Sequence, residues 1–464
     1  MCTSIMAGNQ ATAGGLILLS RNEDFTRNNW NKYMVFRGQA EYKLATAQSN
    51  GIWTLGNGLS VPVPDQAYRY CAMPDAMAYD EATYAIGDRY FFEERGVNEK
   101  NFAISATNSL TINDKAQKAD PLLETGGIAE SVIPTLLLPQ ADSAVDGVRL
   151  LGHYVEQYGA SEVNGVLLGD PQEAWYFEIG SAHHWIAVRV PQDAYIVVAN
   201  GMRVHGVDLD SGDVLCSEGL YEFVVINELL DLPDRHDFNF AKAFGIPGVP
   251  YNVDRVWLAQ SILTPSRQQQ PRLEQYPLFL RPDKAIEVED VMQVLRATYQ
   301  GTVLEGKADR PIGYERTAES HIITVDPAMP HELKGLIWQA VSTPLGAPYM
   351  PFYAVMDDIP PAYAMGSNQY GPLSAYWTFR GLYTLAETGR NTFLPELHAH
   401  WADYEGRCLN ENPYVQRLLT EIYGNDQSTA LAFARRYSTG IAYETLGLAN
   451  RYRDTLMTQI TVQE

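Results

Sequence analysis

The first 24 residues place the strongest constraint on the fold. Residues 3–8 and 16–20 are apolar and partly β-branched, and they flank the polar stretch 9–15, which ends in two glycines. Apolar segments around a polar, glycine-bearing turn predict a β-hairpin. Cys2 then begins the first strand. Because a hairpin returns on itself, residues 21–24 at the end of the second strand are expected close to Cys2.

Further short apolar segments, separated by Gly, Asp and Pro, predict more strands. They are residues 102–107, 163–168, 173–178, 184–190, 195–199, 320–326 and 352–356. We interpret the connections among the first five as too short for helices, which predicts antiparallel pairing.

Helical periodicity is found mainly in the second half of the chain. The segments are 217–231, 289–300, 331–342, 375–388 and two long stretches within 413–460. We therefore expect one mixed α and β domain spanning residues 2–464, with a helix-rich carboxy-terminal portion from about residue 375.

Charge and cysteine spacing exclude several kinds of protein. The 56 acidic and 34 basic side chains give a net charge of −22, which repels phosphate backbones, so nucleic acid is excluded as a partner. Cys71, Cys216 and Cys408 lie far from each other and from Cys2 without a CxxC pair, which argues against a zinc ribbon or a disulfide scaffold. We expect these three to be structural.

The remaining patterns predict a cytoplasmic protein without a bound metal. The amino terminus lacks the features of a secretory signal, and no segment has the roughly 18 continuous apolar residues of a membrane helix. His398, His400 and Asp403 are spaced like possible metal ligands, but their segment is expected to be helix or loop and has no HExxH-type partner.

Cys2 has distinctive chemistry if Met1 is removed. An α-amine has an ordinary pKa near 7.7–8.0 and a cysteine thiol one near 8.5, so a single residue would then carry both a nucleophile and a base that works at neutral pH. The alternative is that Cys2 is an ordinary small residue on a buried strand.

The predicted hairpin brings charged groups to Cys2. A guanidinium from Arg21 would stabilise a thiolate there, and a carboxylate from Asp24 would hold the α-ammonium. The alternative is a solvated turn with an Arg–Asp surface pair.

These residues also carry a resemblance to a known family. The opening Cys-Thr-Ser-Ile, the turn, and then Ser-Arg-Asn-Glu-Asp resemble the start of the N-terminal-cysteine dipeptidases of lactic acid bacteria and relatives. Those enzymes are N-terminal-nucleophile hydrolases, related to penicillin V acylases and conjugated bile acid hydrolases. Residues 96–109, 167–189 and 371–381 resemble later blocks of the family, so the resemblance covers most of the chain. It departs from the family at Gly14-Gly15, where Asp-Gly is usual, and at Asn101, where glycine is frequent.

The resemblance implies roles for individual residues. Cys2 matches the nucleophile, and Arg21 and Asp24 match the pair that stabilises its thiolate and its amine. Asn200 falls where the family places a side-chain amide near the oxyanion, a negative oxygen that a preset donor stabilises. The alternative for Asn200 is a strand-to-turn asparagine before Gly201.

Two further residues match less specific positions of the family. Asn108 sits where the acylase relatives have a second oxyanion asparagine, although many dipeptidases have another residue there. Arg255 resembles a further active-site arginine.

The resemblance also implies the fold and the activity. The expected fold is α+β, a four-layer α-β-β-α sandwich of two antiparallel sheets with helices outside. The expected activity is hydrolysis of dipeptides through a thioester, without a cofactor and without a membrane partner, and the family also suggests a homo-oligomer. One alternative is an acylase of the penicillin V or bile-salt type. Another is a non-catalytic binding member of the fold.

Overall fold

Two antiparallel sheets form the centre of this computed structural model, which describes residues 2–24, 32–46, 50–65, 67–74, 91–130, 132–365 and 370–462. The side chains of residues 44–46 and 107–108 also lie outside the description. In chain order the strands are β1 (Thr3–Ala7), β2 (Ile17–Asp24), β3 (Val35–Arg37), β4 (Ile52–Thr54), β5 (Ser60–Pro62), β6 (Tyr70–Pro74), β7 (Glu93–Asn98), β8 (Ala103–Ser109), β9 (Asn164–Gly169), β10 (Ala174–Ile179), β11 (Trp185–Arg189), β12 (Tyr195–Val198), β13 (Val214–Cys216), β14 (Thr317–Val325), β15 (Gly335–Val341) and β16 (Met350–Tyr353).

The strands divide into two large sheets and one small pair. In the described residues, the first sheet has six strands in the order β12-β1-β2-β14-β15-β16. The second has eight strands in the order β13-β11-β10-β9-β8-β7-β6-β3, and β4 pairs with β5 alone. Strands of the two large sheets contact each other, with β2 lying against β8 and β9.

Helices cover the outer face of each sheet. They are α1 (Gln39–Thr46), α2 (Asp114–Ala119), α3 (Val132–Leu137), α4 (Ala144–Tyr158), α5 (Leu220–Ile226), α6 (Phe240–Phe244), α7 (Pro250–Leu263), α8 (Val288–Leu295), α9 (Ala375–Glu387), α10 (Arg390–Asn425) and α11 (Gln427–Val462). Helices α3 and α4 pack on the eight-stranded sheet, and α7 to α11 pack on the six-stranded sheet. The predicted α+β fold, a four-layer α-β-β-α sandwich, is confirmed.

The opening hairpin forms as predicted. β1 and β2 pair antiparallel, with Ser4 opposite Arg21. In the connection between them, Gly14 and Gly15 have φ angles of 79° and 75°, a left-handed conformation that glycine adopts without a steric penalty. Asn101, which departs from the frequent family glycine, also has a positive φ, of 66°. Asparagine is among the residues that tolerate this conformation, so the departure leaves the turn intact.

The predicted helix at 331–342 is wrong. Residues 331–333 form one short 3-10 turn, and the following residues form β15, which is buried along its whole length. A strand covered on both faces shows a continuous apolar run instead of alternation. Because such a run also fits a buried helix, periodicity does not separate the two structures.

A second prediction also fails, that the connections within 102–199 are too short for helices. Helices α2, α3 and α4 lie between β8 and β9. The two strands are nevertheless antiparallel neighbours, as predicted.

The carboxy-terminal part is helical, as predicted. α9 coincides with the predicted helix at 375–388, and α10 and α11 cover 413–460, with α10 beginning earlier at Arg390. α5 and α8 lie within or at the predicted segments 217–231 and 289–300. In the described part of the chain, no helix combines the length and apolar character needed to cross a bilayer.

Candidate active site

Cys2 lies where three chain segments converge at one end of the six-stranded sheet. It comes one residue before β1, between β12 and β2. β12 runs antiparallel beside β1, so Asn200, two residues after that strand ends, comes back beside Cys2. The end of β2 reaches the same place from the other side. Cys2 is only 2 % exposed.

Arg21 and Cys2 meet on the face of the sheet that is turned toward the second sheet. Ser4 is opposite Arg21, and alternate residues of a strand share a face, so Cys2 and Arg21 point to the same side. The Nη2 atom of Arg21 lies 3.1 Å from Sγ of Cys2. A guanidinium at this distance stabilises negative charge on the sulfur. The structure therefore places Arg21 where the hairpin argument predicted it.

Two carboxylates flank the guanidinium of Arg21. Its Nη1 lies 2.7 Å from Oε2 of Glu94, and its Nη2 lies 2.6 Å from Oε1 of Glu130. Burial alone would lower the pKa of Arg21, but the sulfur of Cys2 and these two carboxylates raise it well above its ordinary value. Arg21 is consequently a fixed positive charge under the sulfur.

Asn200 holds the nitrogen of Cys2. The Cys2 nitrogen donates a hydrogen bond of 3.1 Å to Oδ1 of Asn200, while Nδ2 of Asn200 donates to the backbone carbonyl of Ser109 at 3.1 Å. Oδ1 also accepts a 2.8 Å hydrogen bond from Nη2 of Arg255. These partners together fix which end of the amide faces Cys2, and they leave one N–H of Nδ2 for another acceptor.

Arg255, from α7, binds the backbone of Cys2 from the helical side of the sheet. Its Nη1 donates to the carbonyl oxygen of Cys2 at 2.6 Å and to Oγ1 of Thr3 at 2.9 Å. Its Nη2 also donates to Oδ1 of Asn252 at 3.2 Å. Burial, and secondarily the positive charge of Arg310, lowers the pKa of Arg255 to about 10. Within the described part of the chain, its hydrogen-bond acceptors are all neutral.

Asp24 does not share a face with Arg21. The two positions differ by an odd number along β2, so strand alternation directs their side chains to opposite sides. On its side, the carboxylate of Asp24 pairs with Arg310 and accepts a hydrogen bond from Thr317. The guanidinium of Arg310 also donates to the hydroxyl of Tyr251 at 2.8 Å. The predicted Arg21–Asp24 pair is thus divided between two faces of the sheet.

Asn108 lies in β8, and its side chain is outside the described residues. Its predicted position near the oxyanion stays a prediction. The backbone of β8 does reach the site, because the carbonyl of Ala106 accepts from Arg21 and that of Ser109 accepts from Asn200.

Sequence reasoning missed Glu94, Glu130 and Arg310. Glu94 and Glu130 lie far from Arg21 in the chain, and Arg310 lies in a loop before β14. One signal was present for Glu94: residues 93–95 are three consecutive charged residues, Glu-Glu-Arg, between apolar segments. In β7 all three are buried, which requires ionic or hydrogen-bonding partners. Nothing comparable marks Glu130 or Arg310.

His398, His400 and Asp403, set aside as metal ligands, lie on α10. Over the described residues, the side chains close enough to share a cation are instead Asp208, Asp210 and His236 at the surface. His236 pairs with Asp208, and Arg235 pairs with Asp210, so protein contacts account for this cluster.

The other three cysteines lie away from the residues around Cys2. Cys71 is buried in β6, Cys408 is buried in α10, and Cys216 is partly buried in β13. Burial raises the pKa of all three thiols, that of Cys408 to about 11. A raised pKa keeps a thiol protonated and unreactive at neutral pH.

Known proteins resemble this chain over most of its length. The family model described as Peptidase family C69 matches residues 1–402. A protein named "Probable dipeptidase" from Latilactobacillus sakei is 33% identical over 454 residues, which cover 95% of this chain and 91% of the relative. Another "Probable dipeptidase", from Salmonella dublin, is 36% identical over 372 residues, which cover 76% of this chain and 81% of the relative.

Among solved structures, penicillin V acylase from Agrobacterium tumefaciens is 12% identical with a TM-score of 0.36, covering 77% of this chain and 87% of the acylase. The family model and the two sequence relatives confirm the resemblance seen in the sequence. The chain belongs to peptidase family C69.

Proposed function

We propose that the chain is a dipeptidase whose nucleophile is the sulfur of Cys2 and whose base is the α-amino group of the same residue. One observation carries the proposal: the sulfur contacts Arg21, and the nitrogen is held by Asn200. The names of the relatives from Latilactobacillus sakei and Salmonella dublin support dipeptides as the substrate.

The reaction requires removal of the residue before Cys2. The free α-amine accepts the thiol proton, and the sulfur forms a bond to the carbonyl carbon of the peptide. Collapse of the tetrahedral intermediate breaks the C–N bond, and the amine passes its proton to the leaving amino group. The amine then takes a proton from water, which adds to the thioester. As the C–S bond breaks, the sulfur regains a proton.

Asn200 is the candidate donor to the oxyanion. One N–H of its Nδ2 donates to the carbonyl of Ser109, and over the described residues the second N–H has no acceptor. Loss of one oxyanion donor in a comparable site costs about 10²–10³ in rate. Asn108 is the second candidate donor.

Asp24 is assigned to the α-ammonium group of mature Cys2, as the family resemblance implies. Its carboxylate is held in place by Arg310 and Thr317. Arg255 holds the carbonyl of Cys2 and Oδ1 of Asn200 together, which fixes the nucleophile relative to the oxyanion donor. A single domain, a cytoplasmic location and a homo-oligomer stay predictions.

The decisive experiment compares two forms of the protein by intact mass and by dipeptide hydrolysis. One form has its native amino terminus, and the other carries an uncleavable extension before Cys2. We expect the native form to lack Met1 and to be active, and the extended form to be folded and inert. An active extended form would overturn the role of the α-amine.

Two cysteine variants complete this experiment. Cys2→Ala should abolish turnover with little loss of stability. Cys408→Ala, at another buried cysteine, should keep its turnover. Failure of the native protein to cleave any dipeptide would overturn the proposed activity.

A further inference from the structure

Among the described residues, Glu130 is the more exposed of the two carboxylates that pair with Arg21. Its side chain is 18% exposed, whereas that of Glu94, the other carboxylate on Arg21, is 2% exposed. The neighbouring Ser109, whose hydroxyl donates to Oε2 of Glu130 at 2.9 Å, is itself exposed. The side chains of Arg21 and Arg255 are buried. Of the described side chains that bind Arg21, Glu130 is therefore the one that a molecule from solvent can contact.

The carboxylate of Glu130 has capacity for another donor. Oε1 accepts from Arg21 and Oε2 from Ser109, while a carboxylate offers about four lone-pair positions. Burial alone would raise the pKa of Glu130, but the charge of Arg21 lowers it below its ordinary value. At neutral pH the group is negatively charged.

The distances around Arg21 allow Glu130 to contact the amino-terminal end of a bound peptide. Nη2 of Arg21 lies 2.6 Å from Oε1 of Glu130 and 3.1 Å from Sγ of Cys2, so the oxygen is no farther than about 6 Å from the sulfur. In an amino acid the α-nitrogen lies about 2.5 Å from the carbonyl carbon. A carbonyl carbon poised for attack lies about 3–3.5 Å from the nucleophile. The α-ammonium of the residue under attack can therefore reach Oε1 of Glu130.

We propose that Glu130, with Ser109 beside it, binds the protonated amino terminus of the substrate. This inference rests on the proposed function and defines its substrate class: peptides with a free amino terminus, cleaved after the first residue. An acyl group in place of that residue has no ammonium to offer. A substrate carboxylate at the same position would be repelled by Glu130. The site therefore discriminates dipeptides from N-acylated amides.

The test compares Glu130→Gln with the native enzyme on a dipeptide and on its N-acetyl derivative. We expect kcat/KM for the free dipeptide to fall about 10- to 100-fold, the value of one hydrogen bond between charged groups. The value for the N-acetyl derivative should fall much less, so the preference for the free amino terminus shrinks by a similar factor. Glu130→Asp should recover part of that preference. A preference unchanged in Glu130→Gln would overturn the proposal.

A measurement without turnover separates this inference from the peptidase activity. Cys2 is modified with a cationic aminoethyl thiosulfonate and with a neutral methyl thiosulfonate, and the two rates are compared. If Glu130 binds ammonium groups, the ratio of cationic to neutral rates falls in Glu130→Gln. A role in supporting Arg21 alone would change both rates together and leave the ratio constant, which would contradict the proposal.

Glu162→Gln is the matched control. Glu162 accepts a hydrogen bond from the backbone nitrogen of Glu130 at 3.2 Å, and its glutamine variant removes one nearby charge while keeping an acceptor oxygen. In this variant, the preference for the free dipeptide over its N-acetyl derivative should stay at the native value. The ratio of cationic to neutral modification rates should also stay there. A fall as large as that in Glu130→Gln would show that general charge, and not the Glu130 carboxylate, sets the preference.

Discussion

Cys2 is held between two buried arginines that differ in their surroundings. Arg21 contacts the sulfur and carries two carboxylate partners, Glu94 and Glu130. Arg255 contacts the carbonyl of the same residue, and the acceptors that the described residues offer it are neutral. The pKa of Arg21 is raised, and that of Arg255 is lowered to about 10.

The difference in partners gives the two buried arginines different roles. On the sulfur side, the negative charges of the two carboxylates offset the desolvation cost of burying Arg21. The charge of Arg21 and those of its partners therefore depend on one another. On the carbonyl side, Arg255 is buried without an ion pair among the described residues, so its guanidinium donors mainly fix the geometry of Cys2 and Asn200. Removing the first arginine should therefore affect stability more, because it leaves unpaired charges.

Arg21→Met should give the largest loss of stability. Breaking a buried ion pair by removing one partner costs roughly 3–5 kcal/mol, since the remaining charge stays buried. We also expect turnover to fall steeply, because the sulfur loses the cation beside it. Urea unfolding and dipeptide hydrolysis measure the two effects.

The double variant Arg21→Met with Glu94→Gln isolates the cause. Because Glu94 is then neutral, part of the lost stability should return while turnover stays low. If the double variant is no more stable than Arg21→Met, unpaired charge is not the source of the loss.

The position of Arg21 was predictable because a hairpin is local, and its pairing follows from apolar segments only a few residues apart. The division between Arg21 and Asp24 was also present in the sequence: residues an odd number apart on a strand face opposite sides. Arg255 and Asn200 came from the family resemblance, and the structure brings both into contact with Cys2.

The pairing of Glu94 and Glu130 with Arg21 was not predictable, because these contacts join residues that are 73 and 109 positions apart. β7, which carries Glu94, was not predicted as a strand, since charged residues are rare in strands. It forms with buried charges because partners elsewhere satisfy them: Glu93 pairs with Arg37, and Glu94 pairs with Arg21. Only the tertiary structure supplies those partners.

Arg255→Met should cost less stability than Arg21→Met, about 1–3 kcal/mol, because the acceptors it leaves unpaired are neutral. Turnover should fall on the order of 10²-fold, since Cys2 and Asn200 lose the group that holds them together. Urea unfolding and kcat measure these effects. A loss of stability equal to that of Arg21→Met would contradict the comparison.

Arg203→Met is the matched control for Arg255→Met. Arg203 is also buried, burial lowers its pKa to about 10, and its guanidinium donates to the backbone carbonyls of Val197, Tyr276 and Pro277. It should lose a similar amount of stability while turnover stays close to native. Equal losses of turnover in both variants would show that the Arg255 effect is general destabilisation.

Thr3→Val should give the smallest effect and tests how finely Arg255 is positioned. Oγ1 of Thr3 accepts from the same Nη1 that binds the carbonyl of Cys2, and valine keeps the shape and strand preference of threonine. Losing this neutral acceptor costs about 1 kcal/mol, so we expect at most about a fivefold fall in turnover. If turnover instead falls as far as in Arg255→Met, the threonine hydroxyl positions the guanidinium. The hydrogen bond to the carbonyl of Cys2 would then be insufficient to hold Arg255 in place. A small effect means that the carbonyl of Cys2 and the amide of Asn200 suffice to fix Arg255, so that several neutral contacts share the work of holding the carbonyl side of Cys2.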